Sequence, residues 1–157
     1  MELRRATESD VEALADLYLE FHNFHAEGVP SRLCLLPGYD EETRQGVRRI
    51  LSDPQAAIFV CRDEDALVGM VEVYVKETEL NRAVVQRRYG LIQSLMVTES
   101  RRRHGLGALL IDSAHRWAKE RGASEVELEA WEFPAGPLGF YESAGYTTLK
   151  RRLVKTI

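Results

Sequence analysis

The stretch Leu95-Met96-Val97-Thr98-Glu99-Ser100-Arg101-Arg102-Arg103-His104-Gly105-Leu106-Gly107 decides how this chain is read. An apolar run, a basic loop with two glycines and the start of a long amphipathic segment follow one another without a break. Tyr89 to Val97 reads as a strand. Leu106, Leu109, Leu110, Ala114 and Trp117 recur at the spacing of a buried helical stripe, which Gly122 closes. A strand that passes through such a loop into a helix offers the helix's unpaired first N–H groups, and about half a positive charge, to whatever lies at the loop. Gly105 and Gly107 remove the Cβ atoms that would hold an anion off that backbone, and Arg101, Arg102, Arg103 and His104 add cationic donors. The segment therefore points to a phosphate-bearing ligand. It is not a nucleotide-hydrolysing P-loop, since GxxxxGK followed by Ser or Thr is absent. Nor is it a dinucleotide fingerprint, whose third glycine would fall at Leu110.

Upstream, Leu3 to Ala6 is expected as a short strand and Thr7-Glu8-Ser9-Asp10 as a capping box that starts a helix. Val11, Leu14, Leu17, Tyr18, Phe21 and Phe24 form the apolar stripe of that helix, and Gly28 with Pro30 ends it. Asp40 caps a second helix, which stops before Pro54. Ala57 to Arg62 and Leu67 to Lys76, joined by Asp63-Glu64-Asp65, predict an antiparallel hairpin, and residues 77 to 88 a polar surface connection. Downstream, Val126, Leu128 and Ala130 alternate with Glu125, Glu127 and Glu129, the pattern of a half-buried strand from Glu125 to Trp131. Pro137 opens a short helix ending at Ala144, and a last strand runs from Tyr146 to Lys155. The order predicts a single α/β domain over residues 1–157, with a mixed, largely antiparallel sheet flanked by helices.

Composition sets the outer bounds. With 157 residues, 45 % apolar and 29 % charged, the chain can bury one core and is not a disordered one. The apolar run Ala66 to Val71 is far short of the ~18 residues a membrane span needs, so no membrane partner is expected. A net charge of −4 argues against nucleic acid as a partner. The halves differ, however: residues 1–80 hold 8 basic and 17 acidic side chains, for −9, and residues 81–157 hold 13 and 8, for +5. An anionic ligand on the second half and a cationic one facing the first fit that split. Cys34 and Cys61 form no metal or disulfide pattern and read as free thiols. His22 and His25, three apart on the first helix, lack a third ligand, so no metal site is expected. A cytoplasmic location is the expectation.

Two segments carry a family pattern. Arg102-Arg103-His104-Gly105-Leu106-Gly107 has the form Arg or Gln, two residues of any kind, Gly, any residue, Gly or Ala. Gly139-Phe140-Tyr141-Glu142-Ser143-Ala144-Gly145-Tyr146 contains an aromatic residue, Tyr-Glu, and a Gly followed by a second aromatic residue. With the strand before the first segment and the order of elements along nearly the whole chain, the sequence resembles the GNAT superfamily of N-acetyltransferases.

That resemblance implies acetyl-CoA as co-substrate, no metal, and direct attack of a neutral amine on the thioester. The acceptor would be a primary amine of a small molecule or a protein. Backbone N–H groups within Leu95, Met96 and Val97 would align pantetheine and polarise the thioester carbonyl. The amides of residues 103 to 108, from Arg103 and His104 through Gly105, Leu106 and Gly107 to Ala108, would hold the pyrophosphate, with Arg102 beside them. Tyr141 matches the tyrosine that protonates the departing thiolate, although by itself it reads equally as a core aromatic. Glu72 is the candidate general base because it interrupts Met70-Val71-Glu72-Val73-Tyr74; a polar position on a half-exposed strand is the plainer reading, and Glu99 the alternative base. Gln93 and Ser94 stand where many relatives carry acids. Pro134 stands where many carry an Asn that binds the cofactor arm, and it has neither that amide nor a backbone donor. A non-catalytic acyl-CoA-binding or sensing module of the same fold is therefore the alternative. A homodimer is also expected, paired through the terminal strand.

Overall fold

The computed structural model describes residues 1–157. In chain order the elements are β1 (Glu2–Arg5), α1 (Val11–Gly28), α2 (Glu41–Ser52), β2 (Ala56–Asp63), β3 (Ala66–Glu77), β4 (Arg88–Val97), α3 (Leu106–Glu120), β5 (Val126–Leu128) and α4 (Leu138–Ser143). The five strands lie side by side in sequence order; β1 to β4 are antiparallel, and β5 joins β4 in parallel through the α3 crossover.

Local chemistry sets the ends of these elements. Thr7 and Asp10 form the expected capping box before α1, and the Asp40 carboxylate accepts from the Thr43 amide at 3.0 Å to start α2. Glu64, at φ 53°, turns the hairpin between β2 and β3. Along β3 the side chains alternate between two covered faces. Val71, Val73 and Val75 join Leu110, Ile111, Ala114 and Trp117 under α3, whereas Met70 packs with Ile58, Leu14, Leu17 and Val47 under α1 and α2. Burial on both sides is why β3 is apolar nearly throughout.

One irregularity shapes the rest. Glu72 faces Ser94 and Val73 faces Ile92, so Gln93 is an extra residue bulged out of β4. β5 pairs with β4 only from Gly90↔Val126 to Ile92↔Leu128. From Gln93 to Val97, β4 therefore keeps β3 on one side and has no strand on the other.

Three expectations need correction. The strand expected from Glu125 to Trp131 is confined to Val126–Leu128, because the bulge ends its pairing with β4. Leu109 is 48 % exposed rather than buried; the inward stripe of α3 is carried by Leu106, Leu110, Ser113, Ala114 and Trp117. The last strand, from Tyr146, is not formed. Residues 147–157 make no backbone hydrogen bond and are exposed throughout, since no strand of the same chain lies alongside to pair with them. No helix is long and apolar enough to cross a membrane.

Candidate active site

The open edge of β4 supplies backbone donors. Thr98 donates to the Val68 carbonyl across the β3 ladder, and in an antiparallel pair such bonded residues alternate with outward-facing ones. The polar backbone groups of Met96 and Ser94 thus go to β3, and those of Leu95 and Val97 point at the edge that β5 has left. Of the three residues expected to line pantetheine, Leu95 and Val97 present their amides at this open edge. Met96 instead buries its side chain under α1.

Just beyond the edge, the loop to α3 exposes a run of donors. Arg103 (φ 62°) and Gly105 (φ 79°) both adopt the left-handed conformation, which folds the chain back on itself before α3. The first helical bond runs from Leu109 to the Gly105 carbonyl, and the amides of Arg103, His104, Gly105, Leu106, Gly107 and Ala108 make no hydrogen bond within the protein. Six adjacent free N–H groups at a helix start form an anion cradle.

The side chains around this cradle are arranged differently from the expectation. Arg101 pairs with Asp63 at 2.5 Å. Arg102 donates from Nε to the Val97 carbonyl at 3.0 Å, and its guanidinium lies 4.9 Å from the centre of the Phe24 ring. It therefore ties the end of β4 to α1, and Arg103 is the cation left free. Gly107 owes its identity to packing, because a Cβ there would sit 2.9 Å from the Phe140 ring of α4. Gly105 meets nothing within 4 Å but has the positive φ. His104 turns Nδ1 to the Arg102 carbonyl at 2.7 Å.

The two expected acid–base groups lie on opposite faces of the sheet. Glu72, 3 % exposed, projects to the α1 side, where its carboxylate accepts from Tyr18 at 2.8 Å and Tyr74 at 2.6 Å and touches no cation. Burial first, and then the Glu72 charge, pushes the Tyr18 phenol well above its usual range; burial and the bond to Glu72 also raise Tyr74. Both phenols stay neutral donors at any ordinary pH. Tyr141 lies on the α3 side, in the cluster that Leu95 and Val97 border, and is 7 % exposed. Burial alone pushes its phenol up to about 12, and no protein group accepts or donates at its hydroxyl. Its neighbour Tyr146 bonds His115 Nε2 at 2.7 Å. Glu99 sits in a 3-10 turn on the surface.

The turn after β5 closes the far side. Gly136 donates to the Phe133 carbonyl at 2.8 Å, with Pro134 inside the turn where its fixed φ fits. The Phe133 ring then packs on the last turn of α1, against Phe24 at 5.6 Å and over Gly28, where a Cβ would lie 2.4 Å from the ring. Pro134 itself is exposed. Beside this contact, a groove of about 350 Å³ runs between α1 and the loop after β4, where Asp16, Glu20, Glu27 and Glu99 outnumber the one cation of its lining, Arg102. His22 bonds the Cys34 carbonyl and His25 the Phe21 carbonyl, so both serve α1. No three His, Cys, Asp or Glu side chains come together as a metal site would need.

Sequence reasoning did not find Tyr18 and Tyr74 as partners of Glu72. Tyr74 had a signal, two residues along the same strand face; Tyr18 looked like one more member of an apolar stripe. The role of Phe133 had none, since the distant Gly28 makes room for its ring.

Comparison with known proteins gives a consistent result. The model of the family described as Acetyltransferase (GNAT) family matches residues 11–146. An aminoglycoside N(6')-acetyltransferase type 1 of Serratia marcescens is 32 % identical over 97 residues, which are 60 % of this chain and 66 % of that protein, just under two thirds. Among solved structures, a tetramutant of the BH1408 protein of Bacillus halodurans superposes with a TM-score of 0.91 at 22 % identity, over 100 % of both chains. AAC(6')-Iy in complex with the bisubstrate analogue CoA-S-monomethyl-acetylneamine gives 0.74 at 15 % identity, over 99 % of this chain and 97 % of that one. At such identities the two structures speak for the fold alone.

Proposed function

The chain belongs to the GNAT acetyltransferase family, and on that premise we propose that it transfers the acetyl group of acetyl-CoA to a primary amine by direct attack. The observation that carries this reading is the run of six free amides from Arg103 to Ala108, set at the end of a strand whose own edge is open. The cradle fits the pyrophosphate of CoA, and the Leu95 and Val97 amides fit pantetheine and the thioester carbonyl, whose developing negative charge they stabilise. The amine nitrogen attacks the thioester carbon, a C–N bond forms and the C–S bond breaks. Glu72, on the α1 side, takes the proton the amine loses. Tyr141, protonated up to about pH 12, gives a hydrogen bond and then a proton to the departing sulfur on the α3 side.

The acceptor class that fits is a small polyamine or amino sugar. Support comes from the four carboxylates of the α1 groove and from the Serratia marcescens relative, whose name specifies aminoglycosides. Pro134, which has no side-chain amide to offer CoA, favours a second reading, acyl-CoA binding without turnover.

Ala108→Asp tests the cradle, and Gly107→Asp does not, because it would strike Phe140. Ala108 is exposed in the first turn of α3, where an acid stabilises a helix but repels phosphate. Calorimetry should show acetyl-CoA affinity falling about tenfold or more with the melting temperature held or raised; unchanged affinity overturns the reading. A screen of polyamines and aminoglycosides for CoA thiol release separates transfer from binding alone.

A further inference from the structure

We infer that His115 is a positioning residue for the acid: through Tyr146 it fixes the orientation of Tyr141 and ties it to the helix that opens with the amide cradle. This role rests on the acetyl transfer proposed above. From Glu129 to Ile157 every backbone hydrogen bond stays within the segment. Its side chains add a bond from Ser143 to the Phe140 carbonyl and the ion pair of Arg151 with Glu132, both internal. One hydrogen bond alone ties the segment to the rest of the protein, between Tyr146 Oη and His115 Nε2 at 2.7 Å. Tyr141 therefore stands on a part of the chain held by packing and a single polar anchor.

The path from anchor to acid is short. α4 has six residues, too few to hold a helix by its own hydrogen bonds. It ends in a closed cap. Gly145, at φ 89°, donates to the Glu142 carbonyl at 3.0 Å and turns the chain so that the Tyr146 amide reaches the Tyr141 carbonyl, also at 3.0 Å. That turn brings the Tyr146 ring to 5.8 Å from the Tyr141 ring, edge to face at 69°. Tyr146 thus holds Tyr141 by its carbonyl and by its ring, and His115 holds Tyr146. Burial lowers the His115 imidazolium against the opposing pull of Asp112, and burial also pushes the Tyr146 phenol up to about 12. A neutral ring meets a neutral hydroxyl at neutral pH.

His115 lies on α3 about two and a half turns beyond the first helical residue, Leu106. Leu110, Ile111, Ala114 and Ala118 bury the same helix against the sheet. The amides that fit pyrophosphate and the histidine that holds Tyr146 are therefore parts of one rigid element. The spacing between cradle and acid is then set by that helix and not by the loop that leads to α4. Such control matters, because a reacting group misplaced by about 1 Å can cost roughly 10²-fold in rate.

Two measurements on full-length variants test the role. Hydrogen exchange with no ligand present should show the amides of Tyr141, Ala144, Gly145 and Tyr146 opening several-fold faster in His115→Leu, with those of β3 and β4 unchanged. At saturating amine, kcat should fall about ten- to a hundredfold in His115→Leu and in Tyr146→Phe, and no further in the double variant, while acetyl-CoA affinity by calorimetry holds. His115→Gln, whose side-chain amide reaches as far as Nε2, should recover most of the rate. In a Tyr141→Phe background His115→Leu should cost nothing more, an outcome that a purely structural role would not give. Unchanged exchange in α4, full kcat in His115→Leu, or a further loss in the Tyr141→Phe background would each overturn the role of His115 even where Tyr141→Phe alone is slow. A Tyr141→Phe enzyme at full speed would instead remove the acid, and its positioning residue with it, while hydrogen exchange still reads whether His115 anchors α4.

Discussion

At the corner where β1 meets α1, a buried carboxylate has every partner it needs. At the open edge of β4, the buried groups do not. Asp10, 2 % exposed, takes two hydrogen bonds from Arg4 at 2.7 and 2.8 Å and one from the Thr7 amide at 2.8 Å. Its charge is matched and its lone pairs are engaged. Glu72 is as deeply buried but has two phenols and no cation, and Tyr141 has a hydroxyl with no protein partner. A fold gains little by burying a carboxylate without a cation, and the Tyr141 hydroxyl, unlike its buried ring, stays open to solvent and to a ligand. The first region is consistent with stability alone, and the second with a substrate that completes it.

The largest effect should come from the Tyr141 hydroxyl. Tyr141→Phe keeps the ring in its cluster and removes the proton, so kcat should fall about 10² to 10⁴-fold while acetyl-CoA affinity and melting temperature hold. Full kcat at a saturating amine would return Tyr141 to the core. Next comes Glu72→Gln, which preserves shape and removes the base; a loss of about 10²-fold in kcat with only a small drop in melting temperature is expected. If stability collapses and kcat of the folded enzyme does not change, Glu72 belongs with Asp10 and the contrast fails.

The Asp10 corner is predicted to behave in the opposite way. The Arg4 hydrogen bonds, against the cost of burial and with help from the Thr7 amide, hold its carboxyl at about 2 instead of 3.8. A group lowered on folding stabilises above its unfolded value and stops doing so as pH falls through its folded one. That contribution, about 2 kcal/mol, should be whole above pH 4 or so and fade toward pH 2. Asp10→Asn should cost a similar amount in urea unfolding at neutral pH, roughly 30-fold in the folding constant, with kcat of the folded enzyme unchanged. The gap between variant and parent should shrink in acid. A gap independent of pH would mean that packing, not the ion pair, sets the loss.

The same contrast marks what could be read in the sequence. Asp10 was legible as a capping acid because its partners are near in the chain. The free amides from Arg103 to Ala108 were legible because a glycine-containing loop that opens a helix needs only adjacent residues. What escaped depends on distant contacts: Arg102 stacked on Phe24 rather than free for phosphate, Gly107 shaped by Phe140, and Tyr18 placed on Glu72 from another element. The bulge at Gln93 is a backbone event without a side-chain signature, and it decided how short β5 is. The terminal segment has a strand's composition, but composition cannot supply a neighbouring strand.

The smallest effect should be the most diagnostic. Tyr74→Phe takes one of the two donors from Glu72 and leaves the Tyr18 bond at 2.8 Å in place. A hydrogen bond of this kind is worth about 1 kcal/mol net, so roughly a fivefold change is the scale. If Glu72 were held like Asp10, for structure only, that change would appear in the unfolding free energy and nowhere else. If Glu72 accepts the proton of the amine, kcat/KM should also fall by a factor of that order, because a carboxylate aimed by one phenol instead of two meets the amine less often in the productive geometry. Tyr74→Phe with unchanged kcat/KM would separate Glu72 from the chemistry even where Glu72→Gln is slow. A reduced kcat/KM with an intact fold would tie the base to its two phenols.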